Sequence, residues 1–284
     1  MSPRRAAADR GRGGRRRPDA SGPAAIGGRR AVLEAVRAGA ATRVFLGEGA
    51  RGGSLRELLD ACGRAGVPVE TVDRARLDAL VPDHRGVVAR VRIPPPVGEQ
   101  ELSRRAFADD ALVVVLDGIE DPQNLGAAAR TAEVAGASLL VTRRARSADV
   151  TASAVRASAG ALLHLPHARV PNLARALDRL RDAGFTIIGL DEDAPVSVYD
   201  ARAEGRIALV VGAEGEGMSR LVRERCDELV SLPRRGKVGS LNASAALAAV
   251  LYAFALRPVP GAEMARPAGA AGAPVGRPGP SISS

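Results

Sequence analysis

Short apolar runs alternate with amphipathic stretches along most of this chain, and the alternation changes character near its middle. From Ile26 onward, the spacing predicts a short helix over residues 30–37, a strand over 43–46 and a helix over 55–65 with Leu55, Leu58, Leu59 and Cys62 on one face. A strand over 67–71, a helix over 74–80 and a strand over 86–91 complete a small α/β domain spanning residues 25–92. Pro94, Pro95 and Pro96 then stand in a row, where a helix cannot continue and a central strand cannot pair, so residues 93–106 read as a linker. The second domain, residues 107–257, opens on an apolar run over 111–116 that ends at Asp117, as expected of a strand buried on both faces. Similar runs recur at 138–141, 186–190, 207–211 and 228–232, with helical stretches between them that are clearest at 126–135 and 173–183. The expected fold is therefore α/β: a small N-terminal domain, then a mostly parallel sheet with helices on both faces.

Charge is distributed so that it says little about the folded part. Nine arginines against Asp9 and Asp19 lie in residues 1–30, and three against Glu263 lie in 257–284. Together these account for the whole formal charge of +9 and leave residues 31–256 balanced. Residues 1–24 and 258–284 lack a periodic apolar face and are expected to be disordered. The N-terminal tail reads either as a solvated extension or as a loose phosphate-binding arm. Cys62 and Cys226 are far apart and form no CxxC, which indicates neither a disulfide framework nor a zinc site and fits a reducing cytoplasm. The uncharged stretch 238–256 is alanine-rich and contains Ser240, Asn242 and Ser244, so a buried helix is expected there, not a membrane span.

In a parallel sheet of this kind, ligands sit beyond the carboxyl ends of the strands. Three loops there carry polar residues. The first, after Leu116, leads through Asn124 at the expected start of a helix to Arg130; Asn124 suits either a helix cap or a catalytic role. The second, after Val211, is GAEGEG (212–217), whose glycines permit close backbone approach, whereas Glu214 and Glu216 would repel a phosphate and no lysine follows. Its ligand should be neutral or cationic, unless it is simply a tight surface turn. The third, after Leu232, carries Lys237, the single lysine of the chain, and then Ser240, Leu241 and Asn242 before the alanine-rich helix.

Taken together, NLGAAAR (124–130), GAEGEGM (212–218) and SLNAS (240–244) resemble the three motifs of the SpoU, or TrmH-type, branch of the SPOUT RNA methyltransferases. IGGRRAVLEAV (26–36) and HRGVVARV (84–91) resemble the L30e-like substrate-binding domain of the bacterial 23S rRNA guanosine-2′-O-methyltransferase subfamily. The resemblance implies a C-terminal trefoil knot, S-adenosylmethionine as methyl donor, RNA as substrate and a homodimer. It implies that Gly212, Leu232 and Leu241 contact the donor, and that Arg130, Asn124, Glu214, Ser240 and Asn242 serve catalysis. A guanidinium with a pKa above about 12 is a poor base, so Arg130 is expected to bind the adjacent phosphate and lower the pKa of the ribose hydroxyl. Asn124, Ser240 and Asn242 would orient the ribose, and Glu214 would hold the arginine or the backbone. No metal is called for: His84, His164 and His167 are few and scattered.

Two other functions are weaker. A non-catalytic RNA-binding module would be expected to lack motif residues, and all are present; a dinucleotide-dependent oxidoreductase would need GxGxxG after the first strand, where DGIEDPQ stands. The same chemistry on transfer RNA or another rRNA position stays open.

Overall fold

The computed structural model describes residues 23–201, 204–236 and 241–255. The first lobe runs β1 (Pro23–Gly27), α1 (Arg29–Arg37), β2 (Ala41–Gly47), α2 (Gly53–Ala65), β3 (Val69–Val72), α3 (Arg74–Leu80) and β4 (Val87–Arg92). Its sheet has the order β1-β4-β2-β3, antiparallel except between β2 and β3. The second lobe runs α4 (Glu101–Arg104), β5 (Leu112–Asp117), α5 (Pro122–Val134), β6 (Leu139–Arg143), α6 (Ala152–Ala157), β7 (His167–Val170), α7 (Leu173–Asp182), β8 (Thr186–Leu190), β9 (Val196–Ser197), β10 (Ile207–Gly212), α8 (Arg220–Arg223), β11 (Glu228–Ser231) and α9 (Ala243–Ala255). Seven parallel strands form one sheet in the order β7-β6-β5-β10-β8-β11-β9.

Both faces of that sheet are covered, which is why its strands are apolar throughout. Along β5, Val114 and Leu116 join one core with Leu125 of α5 and Leu247 and Leu251 of α9, while Val113 and Val115 join the other with Leu173, Leu177 and Leu180 of α7. The first core continues into the N-terminal lobe through Ile26, Val32 and Val36. The seam between lobes is tight: a Cβ on Gly160 would stand 2.5 Å from that of Glu34, whose carboxylate lies 3.3 Å from His164 Nε2.

Several expectations need correcting. The disordered segment was expected to reach residue 24, yet Pro23 and Ala24 already pair with Arg92 and Val91 in β1. Residues 1–22 and 256–284, which hold the rest of the expected tails, lie outside the described residues. The expected linker is docked against the fold: Val97 N–H donates to the His167 carbonyl at 2.8 Å, and Leu102 of α4 is fully buried in the core below α7. Glu99 accepts hydrogen bonds from both Arg175 and Arg179 of α7. β7, β9 and α6 were not foreseen, being four, two and six residues long with no clear apolar period.

Candidate active site

Parallel register aligns the strand ends that build the site. Gly212 at the end of β10 pairs with Asp117 at the end of β5, and Leu190 at the end of β8 lies beside Val211 and Val230. The loops that follow these strands therefore open on the same edge of the sheet.

The loop after β10 is closed by two backbone hydrogen bonds between Ala213 and Gly217, at 3.1 and 2.9 Å. That closure presses the chain onto Gly212: a Cβ there would meet the Gly217 carbonyl carbon at 2.1 Å. Gly215 and Gly217 take φ of 81° and 67°, a region open to glycine at no steric cost. Met218 anchors the far side of the loop by packing over Gly189 of β8, where a Cβ would stand 2.8 Å from its methyl group.

Asp117 braces this loop from below. It is 2 % exposed, and its Oδ2 accepts the Ser219 backbone N–H at 2.7 Å. Its other oxygen lies 3.6 Å from Arg143 and has no hydrogen-bond partner among the described residues. Sequence reasoning passed over this residue, although a carboxylate ending a wholly apolar strand was the available signal.

The three motifs meet at Asn242. Its Nδ2 donates to Glu214 Oε2 at 3.1 Å and to Asn124 Oδ1 at 3.3 Å, while its Oδ1 accepts from the Ser244 N–H at 3.0 Å and from the Ser244 hydroxyl at 2.6 Å. Asn242 thus caps α9 with one end of its amide and joins two distant loops with the other. Asn124 does not cap its own helix. Helix α5 starts at Pro122, four residues earlier than the expected 126, and its cap is Asp121, which accepts from the Gln123 N–H at 3.0 Å. The amide of Asn124, inside the first turn, is left available for Asn242.

Beside this meeting point lies a cleft of about 610 Å³. Leu190, Leu232, Leu241, Ala243 and Ala246 give it apolar walls, and Asp191, Glu192, Glu214 and Glu216 give it carboxylates. Two arginines at its rim are committed: Arg223 pairs with Asp191 at 2.7 Å, and Arg234 with Glu192 at 3.4 Å. Gly212, Leu232 and Leu241, the expected donor contacts, all line this cleft. Arg130 stands apart: it is exposed, lines no part of the cleft, and has no hydrogen bond or ion pair among the described residues. Glu214 therefore holds Asn242, not Arg130. Ser240, and Lys237 before it, lie outside the described residues.

Comparison with known proteins gives this class of site a family. Residues 111–252 match the SpoU rRNA Methylase family, and residues 25–97 match the domain described as RNA 2′-O ribose methyltransferase substrate binding. The chain is 42 % identical over 200 residues to the 23S rRNA (guanosine-2′-O-)-methyltransferase RlmB of Burkholderia sp, covering 70 % of this chain and 81 % of that one. It is 35 % identical over 229 residues to the putative TrmH family tRNA/rRNA methyltransferase YacO of Bacillus subtilis, covering 79 % and 92 %. The SpoU methyltransferase AviRb from Streptomyces viridochromogenes, solved in complex with the cofactor AdoMet, superposes with a TM-score of 0.67 at 31 % identity over 81 % of this chain and 88 % of AviRb. The chain belongs to the SpoU rRNA methylase family. Among the described residues, no helix is long and apolar enough to cross a membrane.

Proposed function

We propose that this protein transfers a methyl group from S-adenosylmethionine to the ribose 2′-hydroxyl of a guanosine in 23S rRNA. The observation that carries this reading is the junction at Asn242, which draws the polar residues of two other motifs to the rim of one cleft. The 23S guanosine follows the RlmB relative, which matches 70 % of this chain.

The cleft suits the donor. Adenine needs a flat apolar slot with main-chain partners, which Leu190, Leu232 and Leu241 and the backbone of the 212–218 loop supply. The carboxylates of Glu214 and Glu216 complement a sulfonium and an ammonium and would repel a phosphate. When bound, S-adenosylmethionine supplies an electrophilic methyl group. On the protein side, Asn242, fixed at both ends of its amide, holds Asn124 and Glu214 in register so that the ribose meets an ordered set of donors and acceptors. Ser240 joins that set by its place two residues before Asn242. Arg130, an exposed cation without an acidic partner among the described residues, binds the phosphate next to the target ribose and stabilises negative charge on the hydroxyl oxygen. No residue need be a strong base, because charge stabilisation lowers the hydroxyl pKa enough for its proton to leave to water.

In this reading residues 25–92 receive RNA, residues 107–257 carry out transfer, and residues 93–106 join them. The protein works as a homodimer in the cytoplasm, where rRNA is made and assembled. The C-terminal segment forms a trefoil knot, consistent with the insertion of β10 between β5 and β8 and the return of residues 241–255 onto α5. Mapping 2′-O-methylation across rRNA and transfer RNA in cells lacking the protein tests the function. Loss of one 23S guanosine methylation is expected; loss only in transfer RNA would reassign the substrate, and no loss would overturn the reading.

A further inference from the structure

A second cavity, of about 1000 Å³, lies on the seam between the lobes, away from the cleft just described. One wall comes from the first lobe, with Arg29, Arg30 and Arg37 of α1 and Arg85 from the turn before β4; the other comes from Gln123 at the start of α5 and Arg156 of α6. Five arginines face three carboxylates, Glu34, Glu57 and Asp83. Two of those carboxylates are taken by Arg37, at 2.8 Å from Glu34 and 2.6 Å from Glu57, and Asp83 lies 4.0 Å from Arg85. Arg29 is held in place by neutral groups, the Ser54 hydroxyl and the Arg51 carbonyl, and has no acidic partner among the described residues. Arg30 and Arg156 are exposed and have no hydrogen bond or ion pair among the described residues. Three cations without acidic partners thus line one groove, in a chain whose body is electrically balanced overall.

One edge of the groove lies on α5. Gln123 at its edge and Arg130 are seven residues apart on α5, about two turns, so they share one stripe of the helix. Asn124, one residue on from Gln123, faces Asn242 and belongs to a different stripe. Arg130, which the methyl-donor cleft leaves out, therefore lies on the same stripe of α5 as the edge of the groove.

We propose that this interlobe groove is a phosphate track, in which Arg29, Arg30 and Arg156 hold the backbone of the substrate RNA and lead it along α5 to Arg130. The inference rests on the reading that RNA is the substrate, and adds where its backbone runs. The lobes meet at the Gly160–Glu34 contact and share one apolar core, so the two walls of the track belong to one continuous surface.

The test uses the full chain, unmodified 23S rRNA and S-adenosylmethionine, and compares wild type with the double variant R30E/R156E. The double variant should raise the KM for RNA by at least ~10-fold, with kcat the smaller change, and should flatten the dependence of log affinity on log salt by about one to two units. R30K/R156K should recover most of the affinity, since a phosphate needs the charge. Arg64→Glu, at the other end of α2, should stay within about twofold of wild type. Wild-type KM and salt slope in R30E/R156E, or an equal loss in Arg64→Glu, would overturn the track while leaving the methyltransferase reading intact. A wild-type chain that transfers methyl groups to no ribosomal RNA would overturn both.

Discussion

Asp117 and Ser219 lie 102 residues apart in the chain and are joined by a 2.7 Å hydrogen bond from the Ser219 N–H to the buried carboxylate. That bond ties the end of β5 to the chain just after the glycine loop of β10, so the loop is held from its base as well as by its own closure. Replacing Asp117 with Ala leaves the Ser219 N–H without its acceptor and Arg143 without the nearby carboxylate, at a cost of about 1–3 kcal/mol. Thermal unfolding should show that loss, and the KM for S-adenosylmethionine should rise because the loop is no longer braced. An unchanged Tm with unchanged KM would show that Asp117 does not position the loop.

Gly212 admits no side chain. Its Cβ position is 2.1 Å from the Gly217 carbonyl carbon, so Gly212→Ala must pry the loop open. Overpacking of this kind costs about 1–3 kcal/mol, which corresponds to about a 5–150-fold loss of donor affinity if it falls on the closed loop. Isothermal titration with S-adenosylmethionine reads the effect directly. Circular dichroism should stay close to wild type, because Gly212 is the last residue of β10 and the ladder before it is untouched.

Gly126 makes the opposite of the usual helix prediction. In an exposed helix interior, Gly to Ala gains up to ~1 kcal/mol. Here the added methyl would stand 2.5 Å from Ala157 Cβ and 2.8 Å from the Ser158 nitrogen, both on the C-terminal side of α6. Gly126→Ala should therefore destabilise the fold by about 1–3 kcal/mol. A more stable variant in denaturant titration would contradict the packing of α5 on α6.

His167 sets a pH limit on stability. Burial, and then the neighbouring Arg169, push its pKa down from the ordinary 6.5 to about 4, and its Nε2 lies 2.8 Å from the Thr142 hydroxyl. Above pH 6.5 both folded and unfolded states are neutral, and nothing is lost. As pH falls from 6.5 to about 4 the unfolded chain takes up a proton that the folded chain refuses, which removes on the order of 3 kcal/mol of stability. His167→Gln should abolish that part of the acid sensitivity. Parallel stability curves for the two proteins across this range would rule it out.

Much of this architecture was legible because strands buried on both faces have to be apolar: β5, β8 and β10 stand out from the sequence for that reason alone. β7 escaped because His167 and Arg169 interrupt it and prolines at 166 and 171 flank it, so its place in the sheet comes from pairing with β6, not from its own pattern. The glycine loop and the polar motifs were visible as residue types in sequence. Their partners were not: Asn124 looked like a cap because Asp121, the actual cap, lies three residues earlier, and nothing local reveals that its amide meets Asn242. Asp117 was hidden because its role lies in a bond to a backbone N–H far along the chain.

Methyl transfer to a ribose hydroxyl at the Asn242 junction can be read directly from the product. Purified protein should be incubated with S-adenosylmethionine carrying a labelled methyl group and unmodified 23S rRNA, and the product analysed after alkaline hydrolysis. Label is expected in one alkali-resistant dinucleotide containing 2′-O-methylguanosine, with a rate at least ~100-fold lower for Arg130→Ala. Label on a base, or no label in the RNA, would contradict it.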